Sequence, residues 1–285
     1  PDFVNKFQTL KQKHLTRLKA YDFSFDASSG EAEWLDAAEY LKSFDIIDCE
    51  YEVNNLLDSG KAVLAEGAQG SMLVVIRKSP SPVLRIESAP VTDEFIPPFV
   101  TSSSTACAGA CTGLGAAPGR VGTVYGIFKA YCTRVGSGPF PTELSDATGE
   151  ELRQKGNEFG STTGRPRRCG WIDIPALKYA CMLNGVTDLL VTKIDVLNDF
   201  ETIKMCNSYL IDGRTTQEIP FEFNSVEIKP VFDNYPGWKC ELTGTPSFDK
   251  LPANALAYLK EIEKAVNTPV KAVSISPDRK DVLFR

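Results

Sequence analysis

A carboxylate and an ammonium group stand two residues apart in Thr-Lys-Ile-Asp at 192–195, directly after an apolar run. Guanine presents two parallel donors, the N1 hydrogen and the exocyclic amino group, and one carboxylate accepts both, whereas adenine offers no such pair. A lysine stem can lie along the purine face beside that contact. The pattern predicts that Asp195 reads guanine with Lys193 against the base. The alternative interpretation is a simple turn at a strand end.

Residues 160–168 read Gly-Ser-Thr-Thr-Gly-Arg-Pro-Arg-Arg, which concentrates hydroxyls, glycines and arginines in an acidic protein. Arginine forks match phosphates and carboxylates, and hydroxyls and free backbone amides supply further donors. This favours an anion-binding site over a solvated basic patch, which is the alternative. The pattern GxxxxGK[ST] is absent from the 285 residues, so the phosphates of a nucleotide would need another site.

The elements that must position these residues are a helix and a strand. Asp173 can cap a helix through 177–183 that ends at Gly185, and 188–191 is an apolar strand leading into the Thr-Lys-Ile-Asp motif. A second helix and strand follow at 252–266 and 270–273. This order predicts an α/β fold with ligand groups at the carboxyl ends of strands.

The remaining segments are read from periodicity and composition. Residues 1–58 are expected to be mainly helical, 62–65 a short buried strand before a small-residue turn at 66–70, and 74–97 a proline-rich loop or partly disordered insertion. The small residues of 101–122 fit either a close backbone approach to a ligand or a long flexible loop. Helical signals return at 124–133 and, with Ser145 as N-cap, continue to Phe159.

Composition excludes several classes. With 31 Lys and Arg against 37 Asp and Glu, the net charge is −6, which argues against a nucleic-acid-binding protein. The sequence has no run of about 20 apolar residues and no signal-peptide core, which predicts no membrane association. Eight scattered cysteines without a CxxC pair disfavour zinc and fit reduced thiols of a cytoplasmic protein. The single histidine, His14, lies near no nucleophile motif, which disfavours histidine-dependent nucleophilic catalysis.

Seven segments together resemble the adenylosuccinate synthetase family, in its order and near its spacing, apart from one insertion at 74–97. The wording of LKYACMLNG and TKIDVLNDF resembles eukaryotic, fungal-like members. The matching segments are AEGAQGSML (65–73), PFVTSSSTA (98–106), YGIFKAYCTRVGSGPFPTEL (125–144), GNEFGSTTGRPRRCGWID (156–173), VTKIDVL (191–197), YPGW (235–238) and SISPDR (274–279).

The resemblance implies a fold, a reaction and partners. The fold would be a central, mostly parallel sheet flanked by helices, of the family's P-loop-NTPase-like type but incomplete at its N-terminus, with 1–285 as one partial domain. Such enzymes are ligases of purine biosynthesis: they join IMP and L-aspartate to adenylosuccinate, release GDP and phosphate from GTP, and thereby start AMP synthesis from IMP. Mg²⁺ would accompany the GTP, and the family forms homodimers.

The resemblance also assigns residues to the three substrates. Gln69, Thr101 and Arg165 would bind IMP, with Thr101 on its phosphate. Aspartate would be held by the loop Ser161, Thr162, Thr163, Gly164, Arg165 and Arg167. GTP would be bound by Arg167, Lys193, Ile194, Asp195, Ser274, Ile275 and Ser276.

Departures from the family's pattern qualify this interpretation. The glycine-rich loop GDEGKGK, with its Asp as general base, does not occur in this sequence, and neither does the histidine that follows it as general acid; His14 does not correspond to it. The resemblance therefore covers roughly the last two-thirds of the enzyme, and the metal ligands would lie in the absent part. We expect no turnover by these 285 residues alone, because a general acid or base each contributes about 10²- to 10⁴-fold.

Two other functions compete with the ligase. One is a non-catalytic remnant that binds guanine nucleotide, IMP or a partner chain, and the other is an unrelated GTP-binding switch, which the missing phosphate loop disfavours. Smaller departures are Ser104 in place of Asn and Ser276 in place of Gly. Because a glycine with positive φ is costly to replace, Ser276 predicts an imperfect guanine-side loop.

Overall fold

A computed structural model describes residues 3–67, 74–75, 100–101, 106–136, 138–160, 164–220 and 226–285. Residues 1–52 and 53–285 form two compact units. The helices are α1 (Phe3–Lys19), α2 (Glu31–Tyr40), α3 (Cys49–Asp58), α4 (Ala108–Leu114), α5 (Ala147–Lys155), α6 (Ile174–Asn184) and α7 (Ala253–Val266). The strands are β1 (Val74–Val75), β2 (Val100–Thr101), β3 (Tyr125–Lys129), β4 (Cys132–Arg134), β5 (Arg168–Gly170), β6 (Ile172–Asp173), β7 (Asp188–Thr192), β8 (Thr202–Ile211), β9 (Arg214–Thr216), β10 (Lys229–Pro236), β11 (Val270–Ser274) and β12 (Val282–Phe284).

The first unit contains α1 and α2, which confirms helical structure near the start of the sequence. Trp34 of α2 stacks on Phe3 and Phe7 of α1, with ring centroids 5.6 and 4.7 Å apart. Glu31 accepts hydrogen bonds from Lys11 and Gln8, the latter at 2.6 Å. The two helices are thus joined by an aromatic contact and a charged one.

The second unit is built on a four-stranded sheet in the order β12-β11-β7-β3. The strands β3, β7 and β11 run parallel, and β12 is antiparallel to β11. The α/β prediction is therefore confirmed, including the strands at 188–191 and 270–273. Parallel neighbours bring the carboxyl ends of β3, β7 and β11 to one edge of the sheet.

Both helices predicted beside this sheet are present, and their ends follow the expected rules. The Asp173 carboxylate accepts a hydrogen bond from the Ala176 amide at 3.0 Å, and Gly185 closes α6 with φ of 59°. Pro252 precedes α7, whose buried face includes Tyr258, Leu259 and Ile262. This face packs into the core together with the fully buried strand residues Leu189, Val191, Ile203, Met205 and Val273.

A second four-stranded sheet was not foreseen from the sequence. Its order is β10-β8-β6, with β9 also on β8, and only the β6–β8 pair is parallel. The β8–β9 hairpin turns at Asp212 and Gly213, which have φ of 48° and 75°. Such positive φ values at both turn positions match the right-handed twist of a hairpin.

The helix predicted for 124–133 is wrong, because these residues form β3 and β4. In so short a run, the apolar residues of Tyr-Gly-Ile-Phe-Lys fit both the period of a helix and the alternation of a strand. All five residues pair with β7, and Ile127 on one face is exposed whereas Phe128 on the other packs against the core. The pairing partner lies about 60 residues away and decides the structure.

Three smaller predictions are also corrected. Residues 62–65 form no strand in the described part of the chain, and Leu64 is 86% exposed, since an isolated extended run has no neighbour for its backbone groups. Asp146 rather than Ser145 caps α5, accepting from the Gly149 amide at 3.1 Å, and α5 ends at Lys155 before Phe159. Within 101–122, the segment of small residues contains the helix α4.

No helix in the described ranges is both long and apolar enough to cross a membrane. All eight cysteines are free, and Cys169, Cys181 and Cys206 are buried. The segment 76–97, most of the proposed insertion, lies outside the described residues, as does Ser104. Whether 1–285 is one partial domain stays a prediction.

Asp173 makes the stability of the second unit depend on pH. It is 5% exposed, and burial raises the pKa of its carboxyl from 3.8 to about 6, although Tyr209 and the Ala176 amide donate to it. The folded state therefore binds the proton more tightly than the unfolded state, and the associated stability, about 3 kcal/mol, is lost as pH rises from 4 through 6.

We expect Asp173→Asn to remove this dependence, because the amide keeps the one oxygen that accepts from both Tyr209 and Ala176. Urea unfolding of both proteins between pH 4.5 and 7 measures it. Asp173→Ala is the contrasting variant and should lose about 2 to 4 kcal/mol, from the helix cap and the hydrogen bond that Tyr209 donates to Asp173. Parallel pH curves for wild type and Asp173→Asn would contradict the expectation.

Candidate functional site

The Thr-Lys-Ile-Asp motif lies where the sheet presents its carboxyl edge. β7 ends at Thr192, and residues 194–197 form a 3₁₀ turn that contacts β11. Lys193 joins strand to turn with φ of 59°, a left-handed conformation that non-glycine residues adopt at a cost of about 1 kcal/mol or more. Strain at the start of the motif is typical of functional turns.

Asp195 carries a buried carboxylate oxygen that lacks a donor within the described part of the chain. Its Oδ1 is buried and has no hydrogen-bond partner among the described residues. Burial raises the pKa of the Asp195 carboxyl above its usual value. A buried acceptor without a donor is unfavourable by about 1–3 kcal/mol, so a donor supplied by a ligand would remove the penalty.

The loop after β11 lies at the same edge, because Val273 pairs with Val191 in parallel register. Ile275 is 1% exposed, and its amide donates to the Asp281 carbonyl at 2.9 Å. Ser274 Oγ donates to the Ser276 carbonyl at 2.8 Å, and Ser276 Oγ donates to Asp281 at 2.6 Å. The loop is thus held in one conformation by its own side chains.

The strain expected at Ser276 is wrong, because Ser276 is not among the residues with positive φ. Its hydroxyl also accepts from the Asp278 amide at 2.9 Å. Serine therefore adds loop contacts here that glycine would lack.

The described part of 160–168 forms a tight loop with two different kinds of arginine. The Gly164 amide donates to the Gly160 carbonyl and the Gly160 amide to the Arg165 carbonyl, both at 2.8 Å, with Gly164 at φ of 63°. Arg165 is exposed. Arg168 is paired with Glu143 and donates to the Gly138 carbonyl at 2.8 Å. A solvated basic patch therefore does not describe Arg168, whose role is to connect β5 to the segment before α5.

Glu158 is the centre of the site and was not identified from the sequence. Its side chain is fully buried, and it accepts from Lys129 Nζ at 2.8 Å to both oxygens, from Tyr131 Oη at 2.6 Å, from Arg167 Nη1 at 2.8 Å and from Lys193 Nζ at 2.8 Å. Lys193 also donates to the Gly156 carbonyl at 2.5 Å. These donors come from the ends of β3 and β7 and from the arginine-rich segment 160–168.

The charges of this cluster explain its protonation. Burial raises the pKa of Glu158, but the four donors outweigh it and lower the pKa from 4.5 to about 2. Burial lowers the pKa of Lys129 despite the Glu158 contact and raises that of Tyr131. Around one carboxylate stand three cations, so the cluster carries a net positive charge that suits an anionic ligand.

The structure brings together some of the predicted site residues and leaves others untested. Arg167 and Lys193 share Glu158, and Asp195 lies on the same sheet edge as Ser274, Ile275 and Ser276. Thr101 is described only as backbone in β2, and Gln69, Ser161, Thr162 and Thr163 lie outside the described residues. The sequence signal for Glu158 was an acidic residue within Gly-Asn-Glu-Phe-Gly, just before the arginines.

A metal ion has no ligand set in the part of the chain that the structure describes. No three acidic, histidine or cysteine side chains there are close enough to share one. The described residues therefore do not supply a ligand set for the Mg²⁺ that the family resemblance implies.

Comparisons with known proteins agree on one family. A family profile described as adenylosuccinate synthetase matches residues 92–283, about two-thirds of the chain. The chain belongs to the adenylosuccinate synthetase family. An adenylosuccinate synthetase from Parabacteroides distasonis is 48% identical over 284 residues, covering 100% of this chain, and one from Phocaeicola vulgatus is equally similar.

A solved structure supports the fold of this adenylosuccinate synthetase family member. The fully ligated adenylosuccinate synthetase from Plasmodium falciparum superposes with a TM-score of 0.84 at 33% identity, over 99% of this chain and 64% of that one. The α/β fold of the family, with mixed sheets flanked by helices, is therefore present. The chain spans 63% of the length of the bacterial relatives. These relatives are bacterial, which does not agree with the expected resemblance to eukaryotic, fungal-like members.

Proposed function

We propose that this chain belongs to an enzyme that ligates IMP and L-aspartate to adenylosuccinate at the expense of GTP. The observation that carries the proposal is the guanine side of the site. Segments 192–195 and 274–276, which are far apart in the sequence, follow adjacent parallel strands, and the buried Asp195 Oδ1 has no partner within the described residues. Guanine offers a carboxylate two parallel donors, whereas adenine offers one donor and no matching pair.

Within this site, different residues of the chain would contact different parts of the substrates. Asp195 would accept from guanine, with Lys193 and Ile194 beside the base and the Ser274–Ser276 backbone on its other side. Arg167 would stabilise charge on the phosphates of GTP, because its guanidinium is a fixed, planar donor. The Ser161–Arg167 loop would hold aspartate, and Arg165 would be shared with IMP.

Further parts of the proposal rest on family membership. IMP would also contact Gln69 and, through its phosphate, Thr101. The GTP would carry Mg²⁺, which would spread charge on the phosphates, with ligands outside the described residues. The enzyme would be a homodimer in the cytoplasm, where the eight free thiols remain reduced.

Guanine preference is testable on the 285-residue chain. We expect calorimetric titration to give a GTP dissociation constant at least tenfold lower than that of ATP, since adenine places a donor but no matching pair opposite Asp195. ITP, which lacks the 2-amino group, should lie between them. Equal affinities for GTP and ATP would contradict the guanine assignment.

A further inference from the structure

Glu158 connects the residue proposed to contact guanine with the residue proposed to contact the phosphates of GTP. It bonds to Lys193, on the guanine side, and to Arg167, on the phosphate side. Both contacts are 2.8 Å long, and they use different oxygens, Oε1 for Lys193 and Oε2 for Arg167. One planar carboxylate thus sets the positions of both cations.

The surroundings of Glu158 hold its carboxylate in place. Lys129 bonds to both carboxylate oxygens and Tyr131 to Oε1, so the carboxylate itself is held from the end of β3. The Arg167 amide donates to the Glu158 carbonyl at 2.8 Å, which also fixes the loop backbone. Charge-assisted hydrogen bonds in a buried setting have well-defined geometry, so the whole cluster is preorganised.

From this arrangement we infer that Glu158 is a positioning residue for GTP, which acts through Lys193 and Arg167 and couples the guanine and phosphate ends of the site. The inference rests on the proposed function. Glu158 is fully buried and covered by its donors, so it contacts no nucleotide itself. Its effect on binding must pass through the two cations.

The test is a double-mutant cycle on the full 285-residue chain, with GTP affinity measured by calorimetry and folding by urea unfolding. Glu158→Gln keeps the shape but places an amide donor against cations, and we expect a rise of at least tenfold in the GTP dissociation constant. In a Lys193→Met background, Glu158→Gln should raise the GTP dissociation constant by less than a further threefold, because the Lys193 ammonium group through which Glu158 mainly acts is then absent. A general structural defect would give equal effects in both backgrounds.

Two further variants keep the outcome decisive. Glu158→Asp retains the charge and withdraws it by one methylene, so it should fold even if Glu158→Gln does not, and raise the GTP dissociation constant about fivefold. Glu143→Gln is the matched control, because it breaks the ion pair with Arg168 outside the site and should change GTP affinity less than twofold.

The possible failures are distinguishable. Wild-type affinity for GTP in Glu158→Asp, or equal effects of Glu158→Gln in the two backgrounds, would overturn the positioning role and leave the proposed function intact. A wild-type chain that binds no GTP, or binds GTP and ATP equally, would overturn both.

Discussion

Replacing Asp195 by asparagine is expected to raise the GTP dissociation constant about 10- to 150-fold. The change removes one acceptor and places an amide donor against the donors of guanine. Hydrogen bonds to charged groups contribute about 1.5–3 kcal/mol, and each 1.4 kcal/mol is a tenfold change in affinity. Calorimetric titration of wild type and variant measures the loss directly.

The effect should be specific to the base and not to the fold. The Asp195 carboxylate is half-buried with one unpartnered oxygen in the described structure, so a neutral amide should leave the free energy of unfolding unchanged or raise it. The preference for GTP over ITP should also shrink, because that preference depends on the 2-amino group. Asp199→Asn is the control, because Asp199 lies four residues after Asp195 but is 73% exposed and pairs with Lys155. Unaltered GTP affinity in Asp195→Asn would refute the guanine assignment.

The second large effect concerns folding, at Gly237 in the Tyr-Pro-Gly-Trp segment. A Cβ at this position would lie 1.7 Å from the Phe200 carbonyl oxygen, far inside van der Waals contact. The backbone cannot easily withdraw, because the Gly237 amide donates to the Glu201 carbonyl at 2.9 Å. The next residue, Trp238, is buried and donates from its indole to Asn198 at 2.9 Å.

We therefore expect Gly237→Ala to lower the free energy of unfolding by about 3 kcal/mol or more, or to prevent folding. Urea unfolding followed by tryptophan fluorescence provides the measurement. Gly122→Ala is the matched control, because its Cβ would meet nothing within 4 Å, and should change the unfolding free energy by less than about 1 kcal/mol. Equal unfolding midpoints for the two variants would show that the close approach at Gly237 is not rigid.

Local chemistry was enough to predict the parallel framework of the second unit. Asp173 and Gly185 bound a helix because a side-chain acceptor and a left-handed glycine satisfy groups within one turn of the chain. The strand at 188–191 is bounded by polar residues and leads directly to the motif. From these elements the carboxyl edge followed, and with it the position of Asp195.

Segments whose structure depends on partners far away in the sequence were harder to predict from the sequence. The run 125–129 suits a helix or a strand by pattern, and its pairing with β7 decides. The antiparallel strands β8, β9 and β10 likewise depend on cross-strand pairing. Residues 62–65 have the composition of a strand but pair with no strand among the described residues.

The sequence by itself was enough to identify the family. It also predicted a guanine-binding role for Thr-Lys-Ile-Asp and an anion-binding role for the arginine-rich segment 160–168, because each is a contiguous run with the residue types which that chemistry needs. Only the tertiary structure decided that Lys193 and Arg167 meet at Glu158. The donors to that carboxylate lie 9 to 35 residues away along the chain, on separate elements. A buried charge is compensated by whatever the fold places around it, so its partners depend on how strands and loops are packed in three dimensions.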